Sequence, residues 1–286
     1  MRKASGLIKA VTVVTVIFSL LGLLAACAPA AAPEEEAPEA EAPGSKIDEI
    51  LKRGVLKVGL DIFVPWAFKD KDGNLVGFEV DVAKKLAEDM GVEVEFVPTE
   101  WSGIIPALLT GKFDVIIGGM GITTERALKV NFSIPYEWSG MDCVVNKNML
   151  PGVTSLEELN NEDIIIAVRM GATPVAAAEK FTPRAQLHQF DTDEAVIQDV
   201  LNGNAHAAFS STPKPAFWAV DYPDVLYRPL GGELFTHEPC AFVVRKGDPD
   251  TVFFFNSWVL ANEDWLKERS DYWYGTKDWE YLLGEE

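Results

Sequence analysis

Short apolar runs alternate with helically spaced ones along most of this chain. Residues 56–62 are a run that predicts a strand, and Asp70-Lys71-Asp72-Gly73-Asn74 has the composition of a turn. In 79–90, Val82 and Leu86 stack, with Ala83, Ala87 and Met90 on neighbouring positions. That spacing predicts a helix, and Gly91 supplies its stop. Residues 92–97 predict a strand, 104–110 a short helix and 113–117 a strand. Thr123 or Thr124 can cap a further helix running toward Val130. This β-α-β-α-β order is the pattern of a mostly parallel sheet with helices on its faces.

The alternation repeats. Residues 164–168 predict a strand, 174–180 a helix with proline in its first turn, 185–190 a strand, 193–201 a helix and 205–210 a strand. Ile105-Pro-Ala-Leu-Leu-Thr-Gly111-Lys-Phe-Asp114 precedes one strand, and Ile197-Gln-Asp-Val-Leu-Asn-Gly203-Asn-Ala-His206 precedes the other. In each, a helix ends at glycine and turns into a buried strand, a match that favours two similar lobes. Val144-Val145 and Ala241-Phe242-Val243-Val244 lie just outside the second run and are expected as the two crossings between lobes. The organisation is then residues 46–144 with 241–286 in lobe 1 and 145–240 in lobe 2. The tail from Pro249 reads helical.

The N-terminal pattern is different. Arg2, Lys3 and Lys9 precede an apolar run, residues 11–24, that ends in Leu24-Ala25-Ala26-Cys27. A basic start, a short apolar stretch and small residues make an export signal. The run's 14 residues fall short of the roughly 20 that span a bilayer. Leu-Ala-Ala-Cys resembles the lipobox of bacterial lipoproteins, which implies that residues 1–26 are removed and Cys27 carries lipid; an ordinary cleaved signal is the alternative. Residues 28–45 hold four prolines and five glutamates and no large apolar side chain, so they cannot bury a core. With Cys27 they read as a lipid-anchored stalk that can reach on the order of 50 Å at roughly 3 Å per residue; an acidic interaction tail is the other reading.

The formal charge of the chain is −19. Residues 1–26 carry three basic and no acidic side chains, and the stalk carries five glutamates, which leaves −22 from Cys27 onward and −17 on residues 46–286. That balance argues against nucleic acid and against an anionic membrane surface. After Cys27 only Cys143 and Cys240 remain. Export permits a bridge between them, and two buried thiols are the default. His188, His206 and His237 are scattered without metal-ligand spacing and read as structural or surface side chains, so no metal and no cofactor is implied.

Several ordered motifs carry a resemblance. Trp101-Ser-Gly-Ile-Ile-Pro-Ala-Leu-Leu-Thr-Gly-Lys-Phe-Asp114 leads into Gly118-Gly-Met-Gly-Ile-Thr-Thr-Glu-Arg126; Val130-Asn-Phe-Ser-Ile-Pro-Tyr136 and Glu238-Pro-Cys-Ala-Phe-Val-Val-Arg-Lys-Gly-Asp-Pro249 follow. Together they resemble family 3 extracellular solute-binding proteins of ABC importers, the polar amino-acid type, over nearly all of residues 46–286. The resemblance implies two α/β lobes of the type II periplasmic-binding-protein fold, joined by two crossing strands and closing over a ligand. It implies a monomer that captures a small carboxylate-bearing solute outside the cytoplasm and delivers it to an ABC transporter permease, touching the membrane through its lipid only.

Arg126 follows the strand at 113–117, where ligands of such sheets bind, and an arginine there can clamp a carboxylate through two hydrogen bonds. The resemblance assigns it the ligand's α-carboxylate. Glycines at 119 and 121, flanking Met120, let backbone groups approach a ligand; relatives usually have Ser or Thr where this chain has Gly121. Gly171-Ala172-Thr173 occupies the family's Gly-Thr-Thr loop before Pro174, and a helix start favours an anion independently; a plain cap at Thr173 is the alternative. The resemblance places Phe63 against the ligand side chain; Trp101 reads equally as a ligand contact or as lobe core, and Trp66 as lobe core. Ser211 stands where many relatives place an aspartate for the ligand's ammonium. Losing such a partner costs about 2–5 kcal/mol, so either another acid holds an amine or the ligand has none. Asp61 is the candidate replacement, with a loop-capping role as its other reading. An enzyme of dehydratase type on this scaffold is the competing hypothesis; it would need an acid or base in the cleft, and only His206, Asp61 and Glu100 present themselves. A ligand-binding partner of a separate sensor is the third.

Overall fold

A computed structural model describes residues 44–283. The leader, Cys27 and the stalk up to Pro43 lie outside the described residues. The chain begins with α1 (Lys46–Arg53), β1 (Val55–Leu60), a small hairpin of β2 (Phe68–Lys69) and β3 (Leu75–Val76), α2 (Phe78–Met90), β4 (Glu93–Pro98), α3 (Trp101–Leu109), β5 (Val115–Ile116), α4 (Thr124–Ala127) and β6 (Asn131–Ser139). Then come β7 (Met141–Asn146), α5 (Leu156–Leu159), β8 (Ile165–Arg169), α6 (Thr173–Phe181), β9 (Gln186–Phe190), α7 (Asp193–Leu201), β10 (Ala207–Ser211), α8 (Lys214–Asp221) and β11 (Leu226–Tyr227). The chain returns through β12 (Glu238–Val244) to α9 (Pro249–Ala261) and α10 (Glu263–Gly275).

These strands form two five-stranded sheets. The first has the order β4-β1-β5-β12-β6 and the second β9-β8-β10-β7-β11. In each, three parallel strands are followed by two antiparallel neighbours. The repeated helix–glycine–strand segment leads into the third parallel strand of each sheet. Its glycines are left-handed in both lobes, Gly111 at φ 79° and Gly203 at φ 75°. Both return the same bonds to their helices: Gly111 N to Leu108 O and Lys112 N to Ala107 O, Gly203 N to Val200 O and Asn204 N to Asp199 O.

Central strands are apolar on both faces because helices cover both. In β8, Ile166 and Val168 pack on one side with Cys143, Val145 and Phe209. Ala167 packs on the other with Val144, Val196 and Val200. The first sheet buries Leu56, Val58, Val115 and Phe242 against α2, α9 and α10 through Val82, Leu86, Phe255 and Trp273. Cys143 and Cys240 are free and buried, one in each sheet.

The crossings are not where the apolar segments suggested. Val144 and Val145 lie inside β7 of the second sheet, and 241–244 inside β12 of the first. The chain passes between sheets at Gly140, between β6 and β7, and again between Thr236 and Glu238. Buried strand centres are the most apolar parts of a strand, so hydropathy marks the sheet interior and not the passage between sheets. The crossings touch: a side chain at Gly140 would meet the Thr236 carbonyl oxygen at 2.4 Å.

Gly59, in the middle of β1, has no room for a side chain either; a β-carbon would stand 2.3 Å from the Phe113 ring, itself fully buried. Gly59→Ala is expected to destabilise the native state by about 1–3 kcal/mol through overpacking, read as a lower midpoint in urea unfolding; an unchanged midpoint would show that the Phe113 ring can move aside.

Candidate ligand-binding cleft

Residues from the strand ends of both sheets and from the two crossings enclose a cleft of about 620 Å³, its open mouth included. Three groups of side chains define it.

The first group surrounds Arg126. Thr123 caps α4 by accepting from Arg126 N at 3.2 Å, which fixes the backbone. The guanidinium donates through Nη1 to Gly121 O at 2.9 Å and through Nη2 to Gly171 O, in the opposite lobe, at 3.3 Å. It lies 5.6 Å from the Trp101 ring centre, and Trp101 Nε1 also donates to Gly171 O, at 3.2 Å. Burial pulls the Arg126 pKa down and the nearby Glu238 charge pushes it back up. Thr173 opens α6 on the far side of Gly121.

The second group is the floor. Gly119 is left-handed, φ 64°, and a β-carbon there would meet the Trp66 ring at 2.6 Å, so only glycine fits. Its N–H donates to Tyr136 Oη at 3.1 Å, and Tyr136 Oη donates to Glu79 Oε2 at 2.7 Å. Glu79 is fully buried. Burial, opposed by the Tyr136 bond, pushes its carboxyl up to about 8.

The third group joins the lobes. Arg169, at the end of β8, is 6% exposed. Its Nη2 pairs with Asp61, just past β1 in the first lobe. Its Nη1 is 3.3 Å from Asp193 at the start of α7, and its Nε donates to Asp191 O at 3.1 Å. Asp193 also accepts from Ser210 Oγ at 3.1 Å. Burial pushes the carboxyls of Asp61 and Asp193 up, and the Arg169 charge holds them back.

A family model for bacterial extracellular solute-binding proteins, family 3, matches residues 56–276. The chain belongs to that family. The L-cystine-binding protein TcyJ of Escherichia coli K12 is 28% identical over 232 residues, 80% of this chain and 86% of that protein. A putative ABC-transporter binding component from Wolinella succinogenes, solved with lysine, is 36% identical, with TM-score 0.74, over 79% of this chain and 98% of that one. An ancestral amino acid-binding protein, AncCDT-1, described as a precursor of cyclohexadienyl dehydratase, is 41% identical, with TM-score 0.73, over 80% of this chain and 100% of that one. The fold is therefore that of the type II periplasmic amino-acid-binding proteins, and the family is extracytoplasmic. Among the described residues no helix is long and apolar enough to cross a membrane.

The solute-binding cleft brings together most of the side chains singled out from sequence. Asp61, Phe63, Trp101, Gly119, Gly121, Arg126, Thr173 and Ser211 all line it. Three do not. Met120 is 1% exposed and packs with Ile104, Leu108 and Phe113, while its carbonyl accepts from Ala241 N. Gly171 and Ala172 border an adjoining groove, and Ala172, not Thr173, is the cap residue of α6. Trp66 is core, as expected, yet one face also lines the cleft. Asp61 is not a free acid awaiting an amine, since Arg169 occupies it. His206 is away from the cleft, its Nδ1 accepting from Ile165 N at 3.0 Å, and Glu100 is exposed just before α3.

Arg169, Asp193, Ser139 and Glu238 also line the cleft and were not singled out as site residues. One signal was available: Arg169 directly ends an apolar strand, where a charged residue on a buried strand needs a counter-charge. Glu238 stood in view only as part of a motif.

Burial keeps the Glu79 carboxyl protonated in the folded protein up to about pH 8, well above its ordinary value of 4.5. Its contribution to stability is complete below about pH 4.5 and falls by about 1.4 kcal/mol per pH unit until its native pKa is passed. Glu79→Gln removes that slope. Urea midpoints of the variant should therefore gain on wild type between pH 5 and pH 8; a constant gap would mean that Glu79 is already ionised in the folded protein.

Proposed function

We propose that this solute-binding protein captures a small carboxylate-bearing solute, an amino acid or close analogue, and delivers it to the permease of an ABC importer. The observation that carries this reading is the convergence on Gly121: Arg126 Nη1 lies 3.8 Å, and Thr173 Cγ2 3.6 Å, from where a Gly121 β-carbon would stand. A guanidinium and the first turn of a nine-residue helix, one from each lobe, meet there. Both favour a carboxylate. In this reading Arg126, Gly121 and Thr173, with the Gly171–Ala172 loop behind them, hold the carboxylate. Phe63, Trp101 and Ser211 face the rest of the solute over the Gly119 floor. Relatives named for L-cystine and for bound lysine support the amino-acid class.

We read the cleft as non-catalytic. Asp61, the acid nearest to a catalytic role, is committed to Arg169. Curated relatives are mostly binding proteins, with one cyclohexadienyl dehydratase among them. Closure turns on the paired crossings at Gly140 and Thr236–Glu238. In this reading the protein works as a monomer outside the cytoplasm, tethered to a membrane by lipid on Cys27 and spaced from it by the stalk.

Residues 46–286, unfolded and refolded to strip solute, are expected to rise in Tm by about 5–10 °C with a true ligand at 100 times its Kd, which adds about 2.7 kcal/mol. The panel is L-lysine, L-arginine, L-glutamine and L-cystine, each beside the same acid without its α-amine. Arg126→Ala should abolish the shift while its ligand-free Tm stays near wild type; undiminished affinity would overturn the site. Cys27→Ala in cells fed labelled palmitate should lose the label that wild type acquires, and equal labelling would remove the lipid anchor.

A further inference from the structure

The charged groups of the cleft fall into two sets. Arg169 is satisfied by Asp61, Asp193 and a carbonyl, and those two acids are satisfied by it. Arg126 and Glu238 remain. Glu238 opens β12, directly opposite Ser139 at the end of β6. Its Oε1 accepts from Thr236 Oγ1 at 2.9 Å, and Thr236 Oγ1 in turn accepts from Met141 N at 2.8 Å. The carboxylate is thus clamped from the second crossing, and among the described residues Oε2 has no partner. Oε2 lies 3.6 Å from where a Gly121 β-carbon would stand, and Arg126 Nη1 lies 3.8 Å from the same point. A free carboxylate and a guanidinium therefore flank one gap, which the missing side chain of Gly121 keeps open. Beside it, Ser139 Oγ is buried with no hydrogen-bond partner among the described residues, although Ser139 lines the cleft. A buried orphan hydroxyl is costly unless something else completes it.

Resting on the reading of this cleft as a capture site, we infer that Glu238 Oε2 and Ser139 Oγ hold the α-ammonium of a zwitterionic ligand whose carboxylate faces Arg126. Glu238 supplies the charge and Ser139 an acceptor lone pair, so two of the three ammonium N–H groups are met. Both residues, like Arg126, belong to elements of the first lobe. The ammonium is then recognised by the first lobe and its hinge, while the carboxylate meets both lobes, and Ser211 in the second lobe has no charge to provide.

The test compares Glu238→Gln and Ser139→Ala with wild type by calorimetric titration at pH 7. The probes are L-lysine against 6-aminohexanoate, L-arginine against 5-guanidinopentanoate, L-glutamine against glutaramate and L-cystine against 3,3′-dithiodipropionate. For the amino acids that bind wild type, Glu238→Gln is expected to weaken affinity about 30-fold or more, the lower end of the cost of removing one partner from a buried charged hydrogen bond. Amine-free analogues should change by no more than about threefold. Ser139→Ala, which removes an unpartnered hydroxyl and should keep or raise the ligand-free Tm, is expected to weaken amino acids by about five- to tenfold. It keeps the inference open to refutation if Glu238→Gln fails to fold. Undiminished amino-acid affinity in the variants, or equal losses for analogues, overturns the inference and leaves solute capture standing. Wild-type binding of analogues alone does the same. Silence of wild type toward both sets overturns the capture reading as well.

Discussion

A guanidinium taken out of water needs counter-charges delivered to it, and Arg169 takes one from each lobe. Much of the cleft follows from that requirement. Asp61 must leave β1 pointing at the second lobe, and Asp193 must begin α7 with its carboxylate turned back toward β8. The pair with Asp61 draws the lobes together, beside the bonds that Trp101 and Arg126 make to the Gly171 carbonyl. Closure is therefore biased by protein–protein contacts as well as by the solute, and the solute contributes only through its difference in affinity between open and closed states. The same pairing decides which acid is left for recognition, because a carboxylate spent on Arg169 cannot also neutralise an amine.

The two lobes reach this arrangement by one topology used twice. In each sheet the parallel strands end at the cleft, so loops after β1, β5, β8 and β10 deliver the polar groups there. The antiparallel strands β6, β7 and β12 run through the hinge. Their junctions place Ser139, Thr236 and Glu238 together, where Gly140 lets the second crossing approach the first. A hinge that has to be narrow also becomes a wall of the site.

The central parallel strands and their helices were legible in the sequence because burial on both faces makes those strands plain apolar runs, and α7 was expected at the residues it occupies, Asp193–Leu201. β6 was not: its buried positions are Ser133, Tyr136 and Ser139, all three bearing hydroxyls at a spacing that is not a strand's, with Pro135 between. α1 is only eight residues long, so its stripe of Ile47, Ile50 and Leu51 is short, and α8 buries Lys214 and Pro215 beside Trp218, so it shows no clean apolar stripe. In the site, Arg126, Trp101 and Thr173 were legible because their motifs are local. The Asp61–Arg169 pair was not, since its members are 108 residues apart and meet only across the lobes. Ser211 offers no charge, and which acid of the cleft is left unpaired depends on what else each acid touches.

The charge balance of the cleft bears on its ligand independently of any single contact. Arg126 and Arg169 face Asp61, Asp193 and Glu238. Lys214, 8% exposed, lies just behind them, 5.5 Å from the Phe63 ring centre. Lys214 is itself paired with Glu194 at 3.7 Å, so the groups that face the cleft, two guanidiniums against three carboxylates, carry one negative charge. A zwitterion entering the gap by Gly121 leaves that balance unchanged, and its two charges meet opposite partners on either side. An amine-free carboxylate would add one negative charge to a narrow, water-poor space and leave Glu238 without a counter-ion. The desolvation of one unpaired charge costs several kcal/mol, as much as a good hydrogen-bonded contact returns. In the proposed reading, size and shape select the side chain against Phe63 and Trp101, and this negative balance, with Glu238 Oε2 unpaired, is what favours an α-amine.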